Sequence, residues 1–376
     1  MVNRDRMVEE FLQLIAVPSL SKRERAFAED VKRRLVALGL DVQEDEAGAA
    51  IGGDANNVIA HLPATDPSLP CLLLNAHLDT VTPGESIKAT LDGDRIVSDG
   101  STIVAADDKC GVAVILEVLR VLKEEPVAHG GLDVVLTVAE EIGLMGAKHL
   151  DWSKVRAQMG YVMDGGETQA SITIAAPYAN KVNFVVRGKA AHAGVCPEKG
   201  VNAIQVAARG IASMRLGRLD DETTANIGVI RGGEAPNIVP ERCEVYGEAR
   251  SHQEAKLRAQ TDHMVKAMQG AAREAGAEVE IDLRRDYNGF RLGPEEPVVA
   301  LASEALRELG FEPTFHVGGG GSDANIFNEH GLPAVILSTG AGAVHTTKEF
   351  AHIPTMLHAA EWLLCILRRL GTFFNR

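Results

Sequence analysis

Four places in this chain set ionisable side chains at the end of an apolar run. Cys71–Ala76 is nearly all apolar and leads into His77-Leu78-Asp79. Ile103–Ala106 gives way to Asp107 and Asp108, with Lys109 and a long apolar helical pattern behind them. Leu132–Val138 is followed by the adjacent pair Glu140-Glu141, and Gly160–Met163 ends in Asp164. Singly, each has an ordinary explanation. Two aspartates before a helix read as an N-cap, His77-x-Asp79 as a surface or capping pair, and adjacent glutamates as a solvated loop. In an open α/β sheet, however, the C-terminal strand ends lie on one side, where ligands bind. Four unrelated loops would not repeat the pattern, so the combination points to a metal site. His77 and Asp79 stand two residues apart and share a strand face. A metal-binding imidazole needs a carboxylate or carbonyl for its other ring nitrogen.

The elements that position these residues are readable in outline. Val8–Ile15 is a helix with Phe11, Leu12, Leu14 and Ile15 apolar, stopped by Pro18. Ser21 and Glu24 match a capping box for a second helix that runs to Leu38 and stops at Gly39. Strands follow at Val42–Glu44, Asn57–His61 and Cys71–Ala76, the last reading as buried on both faces. Residues 88–100 form a hairpin turning at Asp92-Gly93. A buried helix spans Lys109–Lys123. From Tyr178 the character changes. Strands at Val182–Arg187, Ile227–Arg231, Arg242–Ala249 and Glu278–Leu283 alternate with helices at Val201–Leu216 and Gln253–Ala275. That order suggests a small α+β domain with one antiparallel sheet at residues 179–290, flanked by α/β segments at residues 1–178 and 291–376. The run Gly318–Gly321 permits close backbone approach. It lacks the Gly-Lys-Ser/Thr of a phosphate-binding Walker loop.

Composition narrows the partners. The 376 residues carry a formal charge of −14, which leaves nucleic acid an unsuitable partner. The five cysteines are scattered without CxxC spacing, as expected for reduced thiols in a cytoplasmic protein. The N-terminus lacks the apolar core of a signal peptide, and no apolar run suits a membrane span.

The motifs LLLNAHLDT (72–80), VAADDKCG (104–111), TVAEEIGLMGA (137–147), YVMDGG (161–166), GKAAHAG (188–194), APNIVP (235–240) and GGGGSDAN (318–325), with the His345 region, resemble those of the M20 family of dinuclear zinc peptidases and deacylases. They look most similar to its peptidase T-like tripeptidase branch. The resemblance implies a mixed-sheet catalytic domain with helices on both faces, and an inserted ferredoxin-like lid and dimerisation domain. It implies that His77 and Asp164 bind one metal, Glu141 and His345 the other, and Asp107 both. Asp79 orients His77, and Glu140 is the general base. The Asp107–Asp108 peptide is expected to be cis. His192 resembles a lid histidine that stabilises the oxyanion within one subunit or across a dimer, and Asn237 and Arg250 resemble residues that contact substrate.

This set is chemically consistent. Three carboxylates and two neutral imidazoles leave one net positive charge on two divalent metals, which suits a bridging hydroxide. Nitrogen and oxygen donors suit two Zn2+ per subunit, with Co2+ or Mn2+ as substitutes. The expected function is release of the N-terminal residue from tripeptides or other short peptides. A carboxypeptidase or an N-acyl-amino-acid deacylase would use the same site. A catalytically dead scaffold would lack a ligand or Glu140, and none is missing.

Overall fold

The computed structural model describes residues 1–374. The chain divides into two units, one of residues 1–175, 291–318 and 322 onward, the other of residues 176–290 with 319–321.

The first unit is built on four parallel neighbours. In sheet order they are Leu132–Thr137, Leu72–His77, Met159–Gly166 and Ala334–Gly342. Every residue of Leu72–His77 and Leu132–Thr137 is buried, as the near-continuous apolar runs require. The chain passes from Leu72–His77 to a neighbour on one side, then to Met159–Gly166 on the other. Such a reversal opens a crevice at the carboxyl ends of the strands. Antiparallel strands extend the sheet. Val58–Leu62 and Asp41–Glu44 lie at one edge. Phe350–His352 and the hairpin Ala89–Asp92/Arg95–Ser98 lie toward the other. The sheet is therefore mixed.

Alternation along the strands sends Leu72, Leu74 and Ala76 into a core shared with the helices Arg4–Ile15, Ala106–Glu124, Pro297–Glu308 and Ile353–Phe374. Asn75 points to the opposite face, where its side chain meets Asp323 at the start of the helix Asp323–Glu329. Helices thus cover both faces. The helix Ala106–Glu124 is interrupted at Asp107 and Asp108, whose backbone is not helical, so its regular part begins at Lys109. No helix among the described residues is long and apolar enough to cross a membrane.

One local expectation fails. The second helix begins at Arg25, and Glu24 stands at its N-cap without a side-chain cap bond. Ser21 instead donates its hydroxyl to Asp79 Oδ2 at 2.7 Å. Glu24 Oε1 accepts from the amides of Lys22 at 2.9 Å and Ala139 at 3.0 Å. The pair has the chemistry of a capping box, but distant partners take both side chains.

The second unit is a five-stranded antiparallel sheet in the order Gly217–Arg218, Thr223–Gly232, Arg242–Ser251, Tyr178–Arg187, Glu278–Tyr287. Its helices Ala203–Ala212 and Glu254–Ala275 share a core with Val182, Phe184, Val186, Cys243 and Val245. Leaving aside the two-residue edge strand, this is the expected strand-helix-strand-strand-helix-strand order.

Lys109 is fully buried, and its Nζ donates to the carbonyls of Leu14 at 3.1 Å and Val17 at 2.5 Å. It also sits 4.1 Å above the Phe27 ring. The long helix is thereby tied to the open C-terminal end of the first helix. Burial pushes the Lys109 ammonium down to about 7. Lys109→Met keeps the stem but takes the ammonium from the Val17 carbonyl, at about 1–3 kcal/mol, while the Leu14 carbonyl keeps the Val17 amide at 3.2 Å. Its melting temperature should fall by a few degrees in calorimetry; an unchanged transition would show that the Val17 carbonyl finds another donor.

Candidate active site

The carboxyl ends of the parallel strands deliver the side chains that the sequence marks out. His77 is the last residue of its strand and is buried. Its Nδ1 donates to the backbone carbonyl of Asp79 at 3.0 Å, with the Asp79 carboxylate at 3.5 Å. The ring is thus aimed mainly by a carbonyl. Its Nε2 faces Asp107 Oδ1 at 3.0 Å and Asp164 Oδ1 at 4.0 Å.

Two groups of donor atoms result. His77, Asp107 and Asp164 form one, and Asp107, Glu141 and His345 the other, with the atoms of each group within 4.8 Å of one another. Asp107 belongs to both. Its Oδ1 faces His77 and its Oδ2 faces His345 Nε2 at 3.3 Å. Glu141 Oε2 lies 2.9 Å from the same His345 nitrogen. Glu140 lies in neither group, although it is buried beside them.

The electrostatics fit bound cations. Burial raises the Glu140 carboxyl well above its usual range, and although His77 opposes this, Asp164, Asp323 and Glu141 add to it. Burial and then Asp107 do the same to Asp164. Burial lifts Glu141 to about 7. Burial alone would lower His77, but hydrogen bonds to Asp107 and Asp79 hold it well above its ordinary value. The hydrogen bond to Asp107 raises His345 to about 9. Carboxylates that repel one another, and imidazoles that hold protons against them, form a donor set that divalent metal would neutralise. Nitrogen and carboxylate donors match zinc and its first-row neighbours.

Three loops hold this arrangement through backbone amides. Asp79 accepts from the amides of Glu140 at 2.8 Å and Glu141 at 3.2 Å, so it sets the glutamate pair as well as His77. Asp108 accepts from Gly111 N at 3.2 Å, starting the helix, and from His77 N at 3.2 Å. The Asp107–Asp108 peptide is cis, as expected. A Cβ on Gly111 would lie 2.2 Å from the carbonyl oxygen of Met163, so only glycine lets the helix approach there. Glu349, which no motif indicated, accepts from the amides of Val104 and Ala105 at 2.8 Å and Asp107 at 3.1 Å. Burial lifts its carboxyl to about 7. Asp323 is a further support of this kind. It accepts from Asn75 at 3.1 Å and from the Thr137 hydroxyl, beneath the strand ends. The signal for it was the acid that closes the glycine run 318–321. A cleft of about 310 Å³ opens beside Glu141, walled by Leu20, Val81 and Ile142 with Arg23.

The remaining expected residues lie in the second unit. His192 is exposed, and its segment runs antiparallel to that of Asn237, with Ala193 N donating to the Asn237 carbonyl at 3.0 Å. His192 Nδ1 accepts from the amides of Gly194 at 3.1 Å and Val195 at 3.2 Å. That bonding leaves Nε2 as the ring N–H. Arg250 pairs with Glu248 at 3.0 Å and donates to the Gly319 carbonyl at 3.4 Å.

The chain is similar to known proteins along nearly its whole length. A model of peptidase family M20/M25/M40 matches residues 73–369. The uncharacterized protein YqjE of Bacillus subtilis strain 168 is 40% identical over 367 residues, covering 98% of this chain and 99% of its own. The crystal structure of aminopeptidase PepT from Bacillus cereus ATCC 10987 is 41% identical with a TM-score of 0.88, over 98% of this chain and 99% of that one. A tripeptidase from Staphylococcus aureus subsp. aureus Mu50 is 38% identical with a TM-score of 0.93, over 99% of this chain and 100% of that one.

The shared position of Asp107 has a measurable consequence. Asp107→Ala should lower metal occupancy at both sites, whereas His77→Ala should empty mainly one. Metal analysis after dialysis against a defined free-zinc buffer distinguishes them, and equal losses in the two variants would contradict the shared role.

Proposed function

This chain belongs to peptidase family M20/M25/M40 and is a metallopeptidase, and from that premise we propose that it is an aminopeptidase releasing the N-terminal residue of tripeptides and other short peptides. The observation that carries the proposal is full-length likeness to a Bacillus cereus aminopeptidase and a Staphylococcus aureus tripeptidase, in a chain whose own donor groups meet on Asp107.

His77 and Asp164 would hold one Zn2+, Glu141 and His345 a second, and Asp107 both; Co2+ or Mn2+ suits the same donors. When bound, the cations supply the positive charge that acidifies water and polarises a carbonyl. Glu140 takes a proton from the attacking water. It passes that proton to the leaving amine nitrogen as the C–N bond breaks, giving an amino acid and a shortened peptide. Its position outside both donor groups, and a carboxyl held above the usual range, support this role. Asp79 keeps the base in place through the Glu140 amide. His192 offers Nε2–H to the carbonyl oxygen as charge develops there, a donor worth ~3 kcal/mol. Asn237 and Arg250 contact the substrate, Arg250 at a carboxylate. The second unit acts as lid and dimerisation domain. In support of a dimer, the cross-strand pair Val229 and Tyr246 is exposed. Cytoplasmic residence belongs to the same reading.

Two measurements test it. The zinc-loaded protein should cleave a free tripeptide far faster than its N-acetylated form or an N-acyl amino acid. Preference for the blocked compounds would make it a deacylase or carboxypeptidase instead. Glu140→Gln should keep two metals yet lose kcat by ~10²-fold or more, the usual contribution of a general base; near-normal turnover would remove Glu140 from the mechanism.

A further inference from the structure

We propose that Glu349 is a positioning residue for both halves of the metal centre: its carboxylate fixes the backbone that presents Asp107, and it lies on the same short turn as His345. The inference rests on the reading of Asp107 as the ligand common to both donor groups.

The loop entering the site brings three amide N–H groups, from Val104, Ala105 and Asp107, onto one side chain. Val104 and Ala105 are completely buried, so water cannot take over their bonds. Ala105 has a left-handed backbone with φ 58°, and Glu349 bonds the amides on either side of its Cα-to-Asp107 path. The loop therefore takes its shape from Glu349 more than from its own preferences. Glu349 is itself held. Its amide donates to the Thr346 carbonyl at 3.0 Å, and Phe350, the next residue, pairs with Val97 in the sheet. His345 precedes Thr346 directly and also has a left-handed backbone, φ 62°. One turn from His345 to Glu349 thus carries a metal-binding imidazole at one end and the anchor of Asp107 at the other. A shift of this turn would move Asp107 and His345 together, relative to His77.

The chemistry calls for a carboxylate. Three donors converge on two acceptor oxygens, and ionised acceptors make the stronger bonds. A glutamine offers one acceptor and turns an NH2 group toward at least one of the amides. An aspartate falls short by one carbon, ~1.5 Å.

The test uses the full-length protein in apo and metal-loaded forms. Metal affinity and stoichiometry are measured by competition with a chelator, alongside the visible spectrum of the Co2+ form and the melting temperature of the apo form. Glu349→Gln should weaken binding of both metals by ~10–100-fold, the range for residues that support metal ligands, and should change the Co2+ spectrum. Glu349→Asp should not rescue it. Glu117→Gln serves as control, since Glu117 is equally buried but pairs with Arg6. It should lower the melting temperature while leaving metal affinity unchanged. If Glu349→Gln behaves like that control, with both metals bound at wild-type affinity and an unaltered spectrum, the inference is overturned. A wild-type protein that binds fewer than two metals would instead overturn the two-site reading on which the inference rests.

Discussion

Buried carboxylates at the mouth of the sheet repel one another, and amide N–H groups from the surrounding loops keep them in place. Asp79 receives Glu140 and Glu141, Asp108 receives His77 and Gly111, and Glu349 receives the approach to Asp107. Each of these acids orients backbone and thereby aims a neighbouring side chain. The acids left facing one another are Asp107, Glu141 and Asp164, together with Glu140. A buried anion is tolerable only when paired or bound to metal. The same buried charge that would destabilise an ordinary core therefore prepares this one for cations.

The fold makes the convergence possible at low conformational cost. A register slip in Leu72–His77 would take Asn75 off the Val135 carbonyl and Asp323, leaving buried polar atoms unpaired. The carboxyl end of this strand is consequently a fixed point. The reversal of strand order around Leu72–His77 puts His77 at the centre, with the Glu140-Glu141 loop on one side and Asp164 on the other. Gly111 lets the long helix approach the Met163 carbonyl, so the Asp107 loop can close over the strand ends.

Much of this was legible from residue types alone. Apolar runs ending in acids or histidine gave the strands, their common edge and the expectation of a metal site. The alternation from Tyr178 onward gave the second antiparallel sheet. The supporting residues were not legible. Ser21 and Glu24 satisfy a local capping pattern, and that pattern is indifferent to whether Asp79 and the Ala139 amide offer better partners across the fold. Glu349 is one acid among many in sequence, and its role exists only because three amides meet it from more than 240 residues away. Asp323 follows a glycine run whose backbone freedom is the stronger local signal, and its partners Asn75 and Thr137 meet it only in the fold.

The sequence by itself determined the periodicity, and with it the α/β class, the inserted α+β domain and the residues gathered at the strand ends, because hydrophobic burial acts on pattern. Adjacent glutamates look alike in sequence. Only the tertiary structure decided that Glu141 joins Asp107 and His345 while Glu140 stands apart, and that Asp107 faces both histidines while Asp108 turns to amides. Those distinctions are matters of direction. Direction is set by which distant amide or carbonyl each oxygen and nitrogen finds once the chain is folded.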